Sequence, residues 1–363
     1  MSLYEDFGHE KYKLLELTPE LVEQIKAGKS LELKSETPSS TLMLCTEDKT
    51  FRIREAHHSN SLFVSTTDVS HSEAYKDCNP DAIILLDNIP ALWEIAPADE
   101  SQIYLPSDIP IYKGSEENHE KIESKGTTLL DVRAKAAISQ KQFDDLWREN
   151  GGVEIEDKKN NKSTAYLLDS SVIAKVMNLI LGTIETTSEL SLDKVSIAAL
   201  HEGMRNFAGK RSDEPYTVVE SVVRKFSKEE NVPYSLNISE IIHWYGINTL
   251  KEHQGQMLVE RDFLEMWRQS LPVNVMDPLK LESLTGNFIN MDGGKVTFFT
   301  KTSLPNDPKE RINQLLNIKP NWELSEILPF IQDIIPKTSK VESFIMKFAR
   351  KKTVGKKIII SKR

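Results

Sequence analysis

From residue 127 to residue 363 one arrangement recurs three times, and it restricts the fold more than any other feature of the chain. Each copy has an amphipathic helix, a short apolar strand carrying an aromatic residue, and two further helices. The strands are Tyr166-Leu167-Leu168-Asp169, Tyr234-Ser235-Leu236-Asn237 and Asn321-Trp322-Glu323-Leu324-Ser325, and each ends on a small polar residue suited to N-cap the next helix. Apolar periodicity predicts leading helices over 139–149, 215–226 and 308–316. The pairs that follow are 170–181 with 192–207, 239–252 with 260–270, and 325–335 with 340–352. Asp307-Pro308-Lys309-Glu310 is a helix start: a capping carboxylate, a proline where its missing N–H costs nothing, and an acid in the first turn. Asp292-Gly293-Gly294 between two apolar runs, and KKIIISK after Gly355, predict β-hairpins behind the second and third copies. Helix, strand, helix pair and hairpin compose a winged-helix module, so three tandem modules are expected at 127–212, 213–303 and 304–363. A layered helical domain gives much the same string, and the pattern alone leaves that open.

The first hundred residues follow a period of two. LELKSE (31–36), TLMLCTED (41–48), FRIRE (51–55) and SLFVSTT (61–67), separated by short polar turns, predict an antiparallel meander. Thr18-Pro19-Glu20 starts a helix over 19–26, DAIILLDN (81–88) fits a helix or a strand, and ALWEIAP (91–97) fits a strand. Four to six strands are few for a closed barrel. An edge with unpaired backbone groups accepts a strand from another chain, which makes Leu42, Leu44, Phe51, Ile53, Leu62 and Val64 candidates for partner contact. A self-sufficient sheet with covered edges fits the same pattern. The polar, proline-punctuated stretch 98–126 predicts a linker. The expected class is therefore α+β: an antiparallel β-meander at 1–97, either self-sufficient or completed by another chain, a linker, and three modules.

Charge is distributed unevenly along the chain. The net charge is −9, yet from Lys337 onward ten cationic side chains face one acid, Glu342, so this segment carries +9 and residues 1–336 carry −18. On a helix over 340–352, Phe344, Ile345, Phe348 and Ala349 would form a buried stripe, with Lys347, Arg350 and Lys351 on a cationic face. Lys352, Lys356, Lys357, Lys362 and Arg363 add charge on or beside the expected wing, and these eight residues are the candidate phosphate-binding set. No base-reading group of Asn, Gln or Arg stands out, so contact with DNA is expected to be independent of sequence. A solvated charge face, or a nuclear-import signal at Arg350-Lys351-Lys352, fits the same composition.

Signals for chemistry are missing. GxxxxGKS/T and GxGxxG phosphate loops do not occur, nor do GxSxG or HExxH. His57 and His58, adjacent on a strand, point to opposite faces and cannot share a metal without a bend. Cys45 and Cys78 have no CxxC spacing and are expected as buried thiols. His243-Trp244-Tyr245-Gly246 and Met266-Trp267 sit on helical apolar periodicity and are expected in a core, not stacked on bases. No apolar run reaches the roughly 18 residues that cross a bilayer. The expectation is a soluble, intracellular, non-enzymatic protein with no cofactor, no metal and no membrane contact.

Laid in order, the segments resemble the Dcc family of sister-chromatid cohesion proteins, subunits of the alternative, cohesion-linked replication factor C clamp loader. The stretches that carry the resemblance are YKLLELTPEL (Tyr12–Leu21), DKTFRIREAHHSNS (Asp48–Ser61), HWYGINTL (His243–Leu250), KTSLPNDPKER (Lys301–Arg311) and SFIMKFARKKTVGKK (Ser343–Lys357). The match is less distinct from about 115 to 161. The resemblance implies that the N-terminal strands join a companion small subunit and the C-terminal segment of the large subunit in one composite barrel. It also implies three tandem winged helices, docking onto the catalytic part of DNA polymerase epsilon, and binding of single- and double-stranded DNA. ATP hydrolysis and PCNA handling would belong to other subunits, so contact with PCNA would be indirect, and the protein would be nuclear. A stand-alone winged-helix regulator of transcription or chromatin, with a preferred DNA sequence, is the rival expectation.

Overall fold

The alternating residues of the N-terminal hundred form one sheet, and the helical periods after residue 127 form helices. The computed structural model describes residues 2–3, 12–67, 83–114, 127–157, 162–207, 214–229, 231–272, 275, 277–336, 339–355 and 357–363. Two compact units result, the first from residues up to 108 with 129–147, the second from 109–128 with 148–363.

In the first unit six strands make a sheet curled into a half-barrel. β1 (Ser2–Leu3) and β2 (Leu14–Leu15) run parallel to β6 (Ile84–Pro97), which pairs antiparallel with β5 (Thr50–Thr66). β4 (Met43–Cys45) and then β3 (Glu32–Lys34) continue the sheet from β5. The runs 51–55 and 61–67 are thus parts of one 17-residue strand, and the described part of 81–88 joins 91–97 in another of 14. Register shifts interrupt the β5–β6 ladder between His57 and Leu62, where β5 advances five positions against two on β6, and between Val64 and Ser65, where the extra residue is on β6; such irregularities bend strands and deepen their twist. α1 (Pro19–Lys26) starts as its sequence dictates: the Thr18 hydroxyl accepts from the Leu21 amide (3.4 Å), and Pro19 occupies the first turn. Its buried Leu21 packs on Leu44 and Phe51. Burying one such leucine contributes about 1.5–3 kcal/mol.

α2 (Leu129–Lys135) and α3 (Gln140–Glu149) follow, and the start of α3 docks on the turn between β4 and β5. Thr50 Oγ1 accepts from the Ser139 amide (2.8 Å) and donates to Gln142 Oε1 (2.6 Å), while the Lys141 amide donates to the Glu47 carbonyl (3.0 Å). A hydroxyl can do both at once, which is why a buried threonine serves here. Phe143 and Trp147, one helical turn apart, stack with ring centroids at 5.8 Å. Cys45 is buried, as expected, and Cys78 lies outside the described residues.

The second unit opens with β7 (Ile111–Tyr112), a strand inside the stretch expected as linker. It runs parallel to β9 (Lys162–Leu168), which pairs antiparallel with β8 (Gly152–Asp157). The hairpin therefore precedes the helices α4 (Ser170–Thr186) and α5 (Ile197–Phe207), where the repeat predicted it behind the pair, if at all. Asp169 caps α4 by accepting from the Ser171 amide (2.9 Å). After α6 (Tyr216–Lys225), the expected strand at 234–237 is reduced to isolated bridges, Val195 to Tyr234 and Ser227 to Leu236. α7 (Ile238–Glu252) is capped by Asn237, and β10 (Leu258–Val259), α8 (Glu260–Ser270), β11 (Phe288–Met291) and β12 (Lys295–Phe298) follow. The Asp292-Gly293-Gly294 turn joins β11 to β12, with φ of 78° and 68° at the glycines. One buried core runs from Tyr112 to Val296. Trp267, fully buried, donates to the Ile242 carbonyl (3.0 Å), and a Cβ on Gly246 would stand 2.6 Å from its ring. The Tyr245 and Trp267 rings are core anchors, as their periodicity indicated.

The third copy keeps the predicted order. α9 (Pro308–Ile318) is capped by Asp307, which accepts from the Glu310 amide (2.9 Å). β13 (Asn321–Glu323), α10 (Leu324–Ile331), α11 (Val341–Ile345), β14 (Arg350–Val354) and β15 (Lys357–Ser361) complete it, around a second core containing Ile312, Trp322, Phe330, Ile345 and Ile360. The long helix expected over 340–352 is corrected: the helix ends at Ile345 and the chain is a strand from Arg350. Phe344, Ile345 and Ala349 are buried as the stripe predicted, but the Lys347 and Phe348 amides bond three residues back and wind the helix to a stop. Strand pairing of 350–354 with 357–361 across Gly355 (φ 62°) then outweighs helix propensity, because it seats Ile360 in the core.

Candidate nucleic-acid interface

The C-terminal sheet has the order β13-β15-β14, and its register decides which cations share a face. Arg350 stands opposite Ser361, Lys352 opposite Ile359, and Val354 opposite Lys357, while Asn321 and Glu323 of β13 face Ser361 and Ile359. Directly opposed residues project to one side of a sheet and alternate residues to opposite sides. Arg350, Lys352 and Lys357 therefore lie on the outer face, and Lys351, opposite the buried Ile360, lies on the core side. Its ammonium is held by Glu342. Lys351 is thus separated from Lys347 and Arg350, with which the helical reading had grouped it. Lys347 sits exposed on the turn after α11, 6.0 Å from the centroid of the Phe344 ring.

The cations are not equivalent. Arg350, Lys352 and Lys347 are exposed and have no acidic partner among the described residues. Lys357 donates to Glu323 (2.8 Å), which raises its own pKa and, by that same hydrogen bond, holds the Glu323 carboxyl below the usual carboxylate range. Lys362 reaches Asn317 Oδ1 (3.4 Å), Arg363 donates to the Met346 carbonyl, and Lys356 lies outside the described residues. The sequence reading missed Glu323, because nothing in spacing places a residue of the first strand beside one 34 positions later. The corresponding parts of the second copy differ in charge: α8 begins Glu260-Arg261-Asp262 with Glu265 one turn on, and its hairpin offers Asp292 against Lys295.

The six apolar candidates for partner contact divide. Leu44 and Phe51 are buried under α1, and Ile53 packs at the margin of that core. Leu42 is half-buried and its carbonyl accepts from the Ile53 amide (3.2 Å). Leu62, 38% exposed, and the half-buried Val64 lie farther out on β5. β4 pairs with β5 only as far as Arg52, so from 54 to 66 β5 has β6 as its one strand neighbour among the described residues.

Fold and surfaces together define an α+β protein with a curled half-barrel sheet in one unit and a cationic three-stranded sheet in the other. The chain belongs to the family described as sister chromatid cohesion protein Dcc1, which it matches over residues 12–331, so the resemblance seen in the sequence is established at the family level. It is 27% identical over 384 aligned positions to the sister chromatid cohesion protein DCC1 of Saccharomyces cerevisiae, covering 97% of this chain and 96% of that protein. The probable counterpart of Dictyostelium discoideum is 24% identical (98% and 96% covered), and that of Homo sapiens 23% identical (93% and 84%). The family match stops at Ile331, before α11 and the cationic hairpin.

Proposed function

We propose that this chain is a nuclear, non-catalytic accessory subunit of the alternative replication factor C clamp loader, acting in sister chromatid cohesion and DNA replication. The N-terminal half-barrel assembles with the small companion subunit and with the C-terminal segment of the large one. The second unit supplies winged-helix-type surfaces, of which the third copy touches single- and double-stranded DNA without reading sequence, and another docks the catalytic region of DNA polymerase epsilon. PCNA is handled indirectly, by directing the loader to forks: tethering raises local concentration and adds no chemistry. The cohesion role is supported by the family and by the names of relatives aligned over almost the whole chain.

The observation that carries the assembly reading is that β5 beyond Arg52 has β6 as its one strand neighbour among the described residues and carries the exposed Leu62, which suits the addition of a strand from another chain. Leu62→Lys with Val64→Lys should abolish co-purification with the two clamp-loader subunits and leave DNA affinity unchanged. Retention of both subunits by this variant contradicts assembly through β5. A chain that is monodisperse alone and selects one DNA motif would favour the stand-alone regulator.

A further inference from the structure

Glu323 is out of place on a face built to meet phosphates. The register puts it in one row with Ile359 and Lys352, two strands and so about 10 Å from that lysine, and diagonal to Lys357. Its carboxylate takes the Lys357 ammonium at 2.8 Å, and among the described residues Lys357 is the cation nearest the tip of the hairpin, where a wing would first approach a duplex. The pair is open to water: the lysine side chain is 67% exposed and the glutamate 30%. An exposed pair of this kind exchanges partners readily, because each ion pair is weak and screened.

Resting on the reading of this face as a DNA surface, we infer that Glu323 is a built-in restraint on it. The carboxylate competes with the polyanion for Lys357 and repels phosphate approaching Lys352, so the protein engages DNA mainly through Arg350 and Lys352 and withholds Lys357. Lys351, tied to Glu342 on the other side of the sheet, is outside this competition. The restraint keeps affinity low and exchange fast, as suits a subunit that must release one stretch of DNA for the next.

The test is fluorescence anisotropy of a labelled mixed-sequence duplex with the full chain across a salt series, with circular dichroism melts confirming that each variant folds. Glu323→Gln should tighten binding by about two- to fivefold, the range one freed surface charge provides, and steepen the slope of log affinity against log salt by about 0.9. Lys357→Gln alone should change little, and added to Glu323→Gln it should remove most of the gain. If Glu323→Gln leaves affinity and slope unchanged, or weakens binding, while Arg350→Gln and Lys352→Gln reduce it, the restraint is refuted and the DNA face stands. If none of these substitutions alters binding, the DNA face itself is refuted and the restraint with it.

Discussion

Arg311 is 2% exposed, and all three of its guanidinium nitrogens donate hydrogen bonds. It donates to the carbonyls of Pro305 (2.6 Å) and Phe330 (3.2 Å), to Asn306 Oδ1 (3.2 Å), and to both carboxylate oxygens of Asp333 (2.8 and 2.7 Å). A planar fork of five donors ties the loop before α9 to the turn after α10 in a way lysine could not. Arg311→Ala should cost about 3–5 kcal/mol, since it strands a partly buried carboxylate and two carbonyls, and urea unfolding monitored by far-ultraviolet dichroism reads the loss directly. Lys225 makes the opposite case. Desolvation pushes its pKa down to about 8, and its ammonium donates to the Glu149 carbonyl. Between about pH 8 and about 10.4 the unfolded chain keeps this proton and the folded one releases it, so the stability contributed rises with pH across that window and is flat below it. Lys225→Met is free of this effect. Its stability relative to wild type should therefore decline steadily from pH 8 to 10 in parallel denaturation series, and a constant difference would refute the assignment.

At the scale of the element, the C-terminal hairpin is where sequence and structure part most instructively. The buried positions Phe344, Ile345 and Ala349, the Gly355 turn and the cationic character were all legible. What was not legible is that residues 350–354 would choose β15 as partner, since an i, i+4 pattern is blind to a strand arriving from the other side of a turn. That choice sorts the lysines. Arg350→Glu with Lys352→Glu should lower duplex affinity by an order of magnitude or more at low salt and flatten its salt dependence by about two units, whereas Lys351→Gln should leave it within twofold in the same titration. Gly355→Ala, at a φ of 62°, should cost about 1 kcal/mol of stability, measured by thermal melt. Elsewhere most caps were readable because they are local: Thr18, Asp169, Asn237 and Asp307 accept the amide hydrogen bonds that their positions promised, whereas Ser325 lies inside α10, which starts at Leu324 with Glu323 at the cap position. The docking of α3 on the β4–β5 turn was not, because Thr50 and Ser139 are 89 residues apart and nothing in either segment names the other.

At the scale of the whole chain, the proposed function assigns assembly to the half-barrel sheet and nucleic-acid contact to the cationic sheet of the second unit. A continuous core runs from Tyr112 to Val296 through the middle of the chain, and the separate core from Ile289 to Ile360 carries the cationic sheet. The central claim is that the half-barrel is finished by other chains along β5. Amide hydrogen exchange of peptides covering residues 54–66 tests it most directly, comparing the chain alone with the chain co-purified with the proposed clamp-loader subunits. Strong protection of these amides on assembly, with α1 and the core from Tyr112 to Val296 unchanged, is the result expected; exchange through 54–66 that is the same in both states would contradict assembly through this edge.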